Sequence, residues 1–574
     1  MPKKNYSDWS KEELIRELKK AEKRKKYGIV WEDKPEVVAE RCKNELPVLV
    51  EDKNKEIVTD RNKPNNILIE GDNYHALSVL NYTHKGKINM IYIDPPYNTG
   101  NGDGFVYNDN RVDLNDEYRH SKWLSFIEKR LKLAKNLLKN NGIIFISIDD
   151  NEVAQLKMLC NEIFGEGNFI SQVIVQTNKG GRDYLQIATT HEYLLCYGKS
   201  ENTTLNELAK DTTLFEFQDK KGLYEVRELR NRNPKFTRSN RPNLFYPIYI
   251  NSKIKDKYGY CAVSLIKSKD YNIETFPKNS EGKDSCWRWG KELVLKNIIE
   301  DNPEESQVIA KQKKDGNWNV YEKSRKFTTR AKSVWDETEM RTELGTIVLR
   351  SIFGKSLFDH PKPVPLIKKA VMLGSDKNSI ILDFFSGSGT TAHAVLELNK
   401  EDGGNRKFIL CTNNENNNGS GIKICTDVCY PRIEKVIKGY KNKGGEKVSG
   451  LSGNLKYFKT DFVDAEPTDK NKRKMVEKST EMLCLREDCF EEVMQGHNFR
   501  IFTNSQGKNL GIIYDDDGIE PFKKEAKKLK KNFIVYVFSL DESAREEEFE
   551  DVKKLVELKP IPAVILNVYK RIFK

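Results

Sequence analysis

An acid, two prolines and a tyrosine follow directly on an apolar run, in Asp94-Pro95-Pro96-Tyr97. The run Ile91-Tyr92-Ile93 predicts a buried strand, which must end there because proline cannot donate to a sheet ladder. Open α/β sheets bind their ligands at the carboxyl ends of such strands. A carboxylate and an aromatic ring held there by rigid backbone could accept hydrogen bonds from a ligand and stack on it. A rigid turn without chemistry is the alternative.

A glycine-rich turn follows a second predicted strand. Ile380-Ile381-Leu382-Asp383 runs into Phe385, Gly387 and Gly389 and then into a helix. Glycines permit a tight strand-to-helix turn and close approach of the backbone to a ligand, and a helix N-terminus favours an electron-rich group. Alone, the pattern fits a dinucleotide-binding dehydrogenase or a close-packed turn equally well. A dehydrogenase, however, has no use for the acid, prolines and tyrosine at another strand end.

Strand and helix patterns alternate around both segments. Strands are predicted in "NILIE", "INMIYI", "IIFISID", "QVIVQTN", "HEYLLCYGK" and "RKFIL", and a long amphipathic helix in "WLSFIEKRLKLAKNLLKNNG". This alternation predicts an α/β fold with a mostly parallel sheet and crossover helices. After residue 450 we expect a last unit with strands in "NFRIFTN", "NLGIIYD", "NFIVYVFSL" and "AVILNVYKRIF" and a basic helix in "PFKKEAKKLKK".

The pattern is interrupted by a polar, aromatic and basic segment, which reads as a domain inserted into the sheet domain. We divide the chain into a helical arm at 1–45, with Ser10 and Glu13 spaced as a capping box, sheet segments at 46–198 and 351–448, the insert at 199–350 and a C-terminal domain at 449–574. Basic residues in the insert alternate with asparagine and phenylalanine, a mixture suited to DNA phosphates and base edges. They are Arg230, Arg232, Lys235, Arg238 and Arg241. A solvated charged face is the alternative.

Composition sets outer limits on the function. The chain has 574 residues, 37% of them hydrophobic, and a net charge of +12, which makes a polyanionic partner plausible. The ten cysteines include no CxxC pair, so we expect reduced thiols and no metal. No apolar run approaches the roughly 18 residues of a membrane helix, and the N-terminus lacks an apolar signal core, so we expect a cytoplasmic protein.

A nucleotide-driven motor is not expected in this chain. The two Gly-Lys-Ser segments lack the first glycine of the phosphate loop, because Leu349 and Tyr193 stand at those positions.

Taken together, the two motifs resemble the amino-methyltransferases, which move a methyl group from S-adenosylmethionine to an exocyclic base nitrogen. The order "DPPY", polar insert, "HPKP" and "FFSGSGTT" is similar to that of the β class of N6-adenine DNA methyltransferases. "LIEGDN", "YIDPPYNTGN", "HEYLLCYGK" and "RPNLFYPI" closely resemble the modification (Mod) subunits of type III restriction systems. The resemblance implies a Rossmann-like methyltransferase sheet with circularly permuted motif order, an inserted target-recognition domain and a small α/β C-terminal domain.

The resemblance also implies roles for residues. The carboxylate of Asp94 and the carbonyl of Pro95 would accept the N–H groups of the adenine amino group, Pro96 would keep the loop rigid, and Tyr97 would stack on the flipped base. The loop 98–110 is rich in glycine and asparagine, which suits a lid over the flipped base or the DNA strand, and a plain surface loop is the alternative. Residues on the cofactor side would be Asp72, Lys362, Asp383, Phe385, Gly387, Gly389 and, for the ribose, Glu415 with Asn413 as alternate.

Double-stranded DNA and S-adenosylmethionine are therefore the expected substrates, and a nucleoid-associated protein of bacterial type is expected. The resemblance suggests a homodimer. The chain could serve a type III system whose restriction subunit is separate, or it could be a solitary methyltransferase. Cytosine N4 methylation is the competing reaction, although such enzymes more often begin the tetrapeptide with serine. A non-catalytic DNA-binding subunit would have lost the acid or the aromatic, and both Asp94 and Tyr97 are present.

Overall fold

The computed structural model describes residues 9–22, 30–100, 106–107, 110–181, 186–414, 421–541 and 543–573. Within these ranges the helices are α1 Lys11–Glu22, α2 Val37–Arg41, α3 Asn73–Thr83, α4 Arg119–Leu137, α5 Val153–Phe164, α6 Lys291–Lys296, α7 Thr342–Phe353, α8 Val364–Gly374, α9 Thr390–Asp402, α10 Tyr430–Lys438, α11 Asp469–Glu477, α12 Thr480–Glu487, α13 Ile519–Leu529 and α14 Ala563–Ile572.

The strands, from β1 to β19, are Glu45–Glu51, Ile57–Val58, Asn65–Glu70, Ile88–Ile93, Val106–Tyr107, Asn110–Arg111, Leu138–Ile148, Phe169–Val175, Glu192–Gly198, Leu208–Ala209, Phe217–Asp219, Gly222–Glu228, Ile248–Lys255, Cys261–Ser264, Ile273–Thr275, Val308–Gln312, Trp318–Ser324, Thr328–Thr329 and Val334–Trp335. Strands β20 to β29 are Ile380–Asp383, Lys407–Thr412, Gly439–Lys441, Lys447–Ser449, Asn454–Asp464, Glu491–Gly496, Phe499–Thr503, Asn509–Ile513, Phe533–Phe538 and Val556–Ile561.

An 11-stranded sheet organises the larger part of the chain, in the order β1-β24-β3-β21-β20-β4-β7-β9-β8-β19 with β2 beside β24. The central neighbours from β24 to β7 are parallel, whereas β9 runs antiparallel to both β7 and β8. Central strands are buried on both faces, as the burial of Ile91 and Leu382 illustrates. The predicted α/β fold with a mostly parallel sheet is confirmed.

Two strands that are distant in the chain lie side by side at the centre of this sheet. Strand β20 pairs with β4, Ile381 opposite Met90 and Leu382 opposite Ile91. Because the two strands are parallel, both end at the same edge. Asp383, the last residue of β20, and Asp94, which follows β4, are therefore brought to one edge of the sheet.

Residues Glu207–Ala331 form a separate compact unit, and Met1–Asn206 with Lys332–Lys574 form the other. The inserted unit contains a 7-stranded antiparallel sheet, β11-β12-β17-β16-β14-β13-β15, whose core includes Leu229, Tyr246 and Trp287. It is shorter than the predicted insert 199–350, because β19 returns to the large sheet beside β8 and α7 follows it. The sequence carries no local signal for the residue at which the chain leaves the insert and rejoins the large sheet.

The C-terminal part also departs from the predicted boundary at residue 449. Strand β24 lies inside the large sheet between β1 and β3, so the sheet extends to Asp464. The 5-stranded sheet β25-β26-β27-β28-β29 follows, with a core formed by Phe499, Phe522 and their neighbours. Helix α13 occupies the predicted basic segment.

One predicted C-terminal strand is wrong. The segment "AVILNVYKRIF" forms helix α14, and the strand is the preceding β29. Ile565 and Tyr569 lie on one helical face and are buried, so helical spacing, rather than alternation, governs this apolar run. Strand β29 was not predicted because its sequence contains lysine and proline.

The predicted capping box at the N-terminus is confirmed. The backbone N–H of Glu13 donates to Ser10 Oγ at 3.2 Å, and the Ser10 N–H donates to Glu13 Oε2 at 2.8 Å. Among the described residues, no helix has the length and apolarity required to span a bilayer.

Candidate active site

The carboxyl ends of four neighbouring parallel strands define the site. Strands β3, β21, β20 and β4 end at Glu70, Thr412, Asp383 and Ile93. A parallel sheet exposes the loops that follow its strands along one edge, and this edge is where α/β folds bind ligands. The acids Asp72, Asp383 and Asp94 therefore share one edge.

The loop after β4 is held rigidly in place. The indole N–H of Trp123 donates to the Pro96 carbonyl at 2.7 Å, and Trp123 is fully buried in α4. Asn98 follows with φ of 57° and donates from Nδ2 to Glu152 Oε1 at 2.6 Å. Burial raises the pKa of Glu152 to about 8. These contacts fix the second half of the tetrapeptide and the residue after it, and β4 fixes its beginning, so its acid and ring need little rearrangement to meet a ligand.

Asp94 lies in a network with a tyrosine, a lysine and a second acid. Tyr97 Oη donates to Asp94 Oδ1 at 2.7 Å, and Lys362 Nζ donates to Tyr97 Oη at 2.7 Å. Lys362 Nζ also donates to Glu192 Oε2 at 2.5 Å and lies 3.5 Å from Asp94 Oδ1. Burial raises the pKa of Asp94, and the nearby Lys362 charge opposes that rise.

Lys362 therefore contacts the tetrapeptide Asp94–Tyr97. Its ammonium lies 4.8 Å from the centroid of the Tyr97 ring. The sequence predicted it on the cofactor side, but "HPKP" precedes α8, and the chain there directs the lysine toward Asp94 and Glu192. A role toward a cofactor stays a prediction.

Asp383 begins the glycine-rich turn and is buried. Its carboxylate accepts the Phe385 N–H at 3.0 Å and the Thr391 hydroxyl at 2.5 Å. Burial raises the pKa of Asp383 to about 7. In the described part of the chain no basic side chain forms an ion pair with it. A buried carboxylate in this state fits a ligand with an ammonium group, as S-adenosylmethionine has.

The turn itself requires glycine. Gly387 has φ of 47° and Gly389 has φ of 78°, both in the left-handed region. A Cβ on Gly387 would lie 3.1 Å from the Phe358 ring, and one on Gly389 would lie 3.1 Å from Cys429 Sγ. A side chain at either position would be strained by the left-handed backbone and would crowd its neighbour. The turn leads directly into α9.

Arg432 supports this turn from behind. The guanidinium is fully buried, and its Nη1 donates to Ser388 Oγ at 3.0 Å and to Thr390 Oγ1 at 2.7 Å. Burial lowers the pKa of Arg432 to about 10. The arginine thus ties α10 to the start of α9.

Asp72 both caps a helix and pairs with a buried arginine. Its Oδ1 accepts the Tyr74 N–H at 2.7 Å, which caps α3, and its Oδ2 lies 3.4 Å from Arg130 Nη2. Arg130 is also held by Glu36, with Nη2 to Oε1 at 2.7 Å. The neighbouring Asn73 donates to the Phe384 carbonyl at 3.0 Å and links the ends of β3 and β20. Asp72 is thereby positioned beside the glycine turn.

The remaining cofactor-side predictions are only partly observable. Glu415 lies outside the described residues, as does most of the predicted lid loop 98–110. Its neighbour Asn414 donates to Glu70 Oε1 at 2.5 Å, so the exit of β21 is bonded to the exit of β3. Phe385 is half-buried, its ring centroid 5.8 Å from that of Phe126.

The five predicted DNA-contacting residues lie between β12 and β13 in the inserted unit, and they differ in availability. The side chain of Arg230 is 17% exposed and pairs with Glu228 at 2.8 Å. Arg232 and Arg238 also have acidic partners, Glu228 at 3.0 Å and Asp284 at 3.3 Å, but their side chains are 75% and 63% exposed. Lys235 and Arg241 are exposed as well. Arg230 therefore serves the fold of the unit, and the other four present charge to solvent.

Sequence reasoning overlooked Glu192, Arg130 and Arg432. Glu192 begins β9, and the start of an antiparallel strand lies at the same edge as the ends of its parallel neighbours. The acid at the start of "EYLLCYG" could have indicated a site residue. A local sequence pattern, however, does not show whether a strand runs parallel or antiparallel to its neighbours. Buried arginines carry no such signal, since their surroundings come from distant segments.

Residues 88–417 match the family model described as DNA methylase (N6_N4_Mtase). The chain is 36% identical over 469 residues to the type III restriction-modification enzyme EcoPI Mod subunit of Escherichia phage P1, covering 74% of this chain and 70% of that protein. It is 35% identical over 400 residues to the type II methyltransferase M.KpnI of Klebsiella pneumoniae, covering 69% and 88%. Among solved structures, the PvuII DNA methyltransferase (cytosine-N4-specific) has 9% identity and a TM-score of 0.32, covering 65% of this chain and 92% of that one. The chain therefore belongs to the DNA methylases of this family, whose methyl donor is S-adenosylmethionine.

Proposed function

We propose that the protein methylates the N6 amino group of an adenine turned out of double-stranded DNA, at a specific site. The observation that carries this proposal is the position of Asp94. Its carboxylate follows β4, touches Tyr97, and lies one strand away from Asp383 and the glycine turn after β20. A hydrogen-bond acceptor for an amino group thus stands next to a cradle suited to the methyl donor.

Asp94 and Pro95 would activate the amino group. The N6 lone pair is delocalised into the adenine ring, which makes this nitrogen a poor nucleophile. Two acceptors aimed at its N–H groups, the Asp94 carboxylate and the Pro95 carbonyl, localise the lone pair and stabilise the positive charge that develops on nitrogen. S-adenosylmethionine supplies the methyl group. The bond from Trp123 to Pro96 keeps the acceptors in place, so they act without reorganising.

Tyr97 would hold the flipped base. Stacking of a base on an aromatic side chain contributes about 1–3 kcal/mol. Flipping costs a few kcal/mol, so the stack offsets part of that cost. Lys362 lies 4.8 Å from the ring centroid and makes one approach to the ring electropositive.

Adenine is favoured over cytosine by the acid at the first position of the tetrapeptide. Enzymes that methylate cytosine N4 more often place a serine there, and this chain has Asp94. The amino chemistry of the two bases is the same, so N4 methylation is the second candidate.

The relatives support two molecular settings for this enzyme. Similarity to the EcoPI Mod subunit supports a modification subunit of a type III system, whose restriction subunit would be a separate protein, and similarity to the type II methyltransferase M.KpnI supports a methyltransferase outside a type III system. We expect a homodimer acting on DNA in the bacterial cytoplasm. The inserted unit 207–331, with its exposed Arg232, Lys235, Arg238 and Arg241, would read the target site.

The direct test is product analysis. Purified protein is incubated with S-adenosylmethionine and unmethylated bacterial DNA, the DNA is digested to nucleosides, and modified bases are identified by mass spectrometry. Asp94→Ala is run in parallel, with Asp376→Ala, an exposed acid on the turn before β20, as the matched control.

We expect N6-methyladenine from the wild type and from Asp376→Ala, and none from Asp94→Ala, which should still bind S-adenosylmethionine. N4-methylcytosine instead would favour the second candidate. Full activity of Asp94→Ala would contradict the mechanism.

A further inference from the structure

The hydroxyl of Tyr97 has more contacts than stacking requires. A phenylalanine ring would stack on a base equally well, because stacking uses only the face of the ring. Yet Tyr97 Oη donates to Asp94 Oδ1 at 2.7 Å, accepts from Lys362 Nζ at 2.7 Å and lies 3.3 Å from Glu192 Oε2. The hydroxyl therefore connects two carboxylates, one that follows β4 and one at the start of β9.

The reaction proposed above leaves a proton to be removed. When the amino nitrogen gains a methyl group, it carries a positive charge until one N–H bond breaks. Asp94 is the nearest base on the protein side, and the proton converts its carboxylate to the acid. Asp94 must return to the carboxylate before another amino group can be activated, while the base stacked on Tyr97 covers it from solvent.

Resting on this proposed function, we propose that Tyr97 and Glu192 form the exit path for the product proton. Once Asp94 is protonated, the Tyr97 O–H turns toward Glu192. The Asp94 proton then moves to Tyr97 Oη while Tyr97 passes its own proton to Glu192 Oε2. Tyr97 ends unchanged, Asp94 is ionised again, and Glu192 releases the proton to water. No oxidant, reductant or other reactant takes part.

The surrounding charges suit this exchange. The Lys362 ammonium contacts both Tyr97 Oη and Glu192 Oε2, so it stabilises negative charge on the phenol oxygen during the transfer. Lys362 is only 7% exposed, which strengthens that effect, and the Glu192 side chain retains 23% exposure through which a proton can leave. The carboxyl of Asp383, on β20, and the neutral phenol of Tyr92, on β4, also lie close enough to interact with Asp94 or Tyr97.

Two substitutions test the path with little change of shape. Tyr97→Phe keeps the stacking ring and removes the relay oxygen, and Glu192→Gln keeps the side-chain size and removes the terminal acceptor. Tyr193→Phe is the matched control, because Tyr193 follows Glu192 on β9 and donates to the carboxylate of Asp150 at 2.9 Å. Methyl transfer and proton release are followed in single-turnover mixing with a pH indicator, at several buffer concentrations and in deuterated water. Affinities for S-adenosylmethionine and DNA are measured separately.

We expect proton release to slow at least about tenfold in Tyr97→Phe and Glu192→Gln, the scale of a lost proton-transfer group. Both affinities should stay within about threefold of wild type. The rate in Glu192→Gln should rise with buffer concentration, because a small base can replace the missing acceptor, whereas the wild type and Tyr193→Phe should not respond. A purely structural role would not produce buffer rescue.

Wild-type proton release in both variants overturns the path, as does loss of DNA or cofactor affinity without buffer rescue, which would assign the two residues to positioning. These results are distinct from failure of the proposed function, in which the wild type itself would methylate no base.

Discussion

At the scale of single residues, the buried carboxyl of Asp383 predicts how cofactor affinity depends on pH. Burial raises its pKa to about 7 in the free protein, and an ammonium ligand binds the ionised form. Affinity for S-adenosylmethionine should therefore increase about five- to tenfold from pH 6 to pH 7.5, as the free carboxyl ionises. Isothermal titration calorimetry at a series of pH values measures this.

Asp383→Asn should weaken binding about tenfold or more and flatten the pH dependence, because a lost charged hydrogen bond contributes roughly 1.5–3 kcal/mol. The exposed Asp376→Asn is the control, and it should match the wild type. If Asp383→Asn bound the cofactor with an unchanged pH profile, Asp383 would not be the partner of the ammonium group.

Lys362 predicts a second pH effect, this time on methyl transfer. The ionised Asp94 is the stronger acceptor for its N–H group of the adenine amino group and is the form that can take up the product proton, so activity falls as pH drops through its pKa. Burial raises that pKa and Lys362 opposes the rise. Lys362→Met should therefore shift the acidic limb of the rate profile to higher pH and reduce the rate about tenfold or more at pH 6, with a smaller loss at pH 8.

The measurement is single-turnover methylation from pH 5.5 to 8.5 with saturating cofactor. Lys368→Met supplies the control, because Lys368 lies on α8 and pairs with Glu401 of α9. An acidic limb that did not move, or moved to lower pH, would contradict the electrostatic link between Lys362 and Asp94.

At the scale of elements, the β20–α9 turn predicts which glycines are indispensable. Gly389→Ala introduces a Cβ 3.1 Å from Cys429 Sγ at a φ of 78°, so we expect both destabilisation and loss of cofactor affinity. Gly403, at the other end of α9, has a φ of 69° and nothing within 4 Å of a Cβ. Gly403→Ala therefore isolates the backbone cost, about 1 kcal/mol.

Urea denaturation and cofactor titration of both variants distinguish the two effects. Gly389→Ala should lose roughly 2–3 kcal/mol of stability and most of its cofactor affinity, because steric overlap adds to the backbone strain. Gly403→Ala should bind the cofactor as the wild type does. Equal effects of the two substitutions would mean that the turn is not adapted to a ligand.

At the scale of the whole molecule, the inserted unit predicts how DNA affinity depends on salt. Lys235 and Arg241 are exposed, and each phosphate contact they make releases counterions. Lys235→Ala and Arg241→Ala should each lower the slope of log affinity against log salt by about one, with little change in stability. Arg230→Ala should behave oppositely, because Arg230 is 17% exposed and paired with Glu228.

Fluorescence anisotropy with labelled duplex at several salt concentrations gives the slopes, and thermal unfolding gives the stabilities. A DNA slope unaltered by the two exposed substitutions would place the DNA interface elsewhere on the protein. An Arg230→Ala protein of wild-type stability would show that its pairing with Glu228 is incidental to the fold.

The sequence by itself determined the local features of the site. Apolar runs ended by prolines at Pro95 and by glycines at Gly387 identified two strand ends with their acids, since backbone conformation there depends on near neighbours. The same locality identified the capping box at Ser10. Local patterns gave the wrong structure for Ala563–Ile572, because an apolar run can form a strand or a helix and its packing partners decide between them.

Only the tertiary structure decided which distant residues meet. Strand β20 lies beside β4 although about 290 residues separate them, and β9 runs antiparallel, which brings Glu192 to the edge that holds Asp94 and Lys362. The return of β19 and β24 to the large sheet likewise set the domain limits. Many apolar segments of the chain could pair with the same strand. Which of them does so depends on the packing of the whole chain rather than on any local pattern.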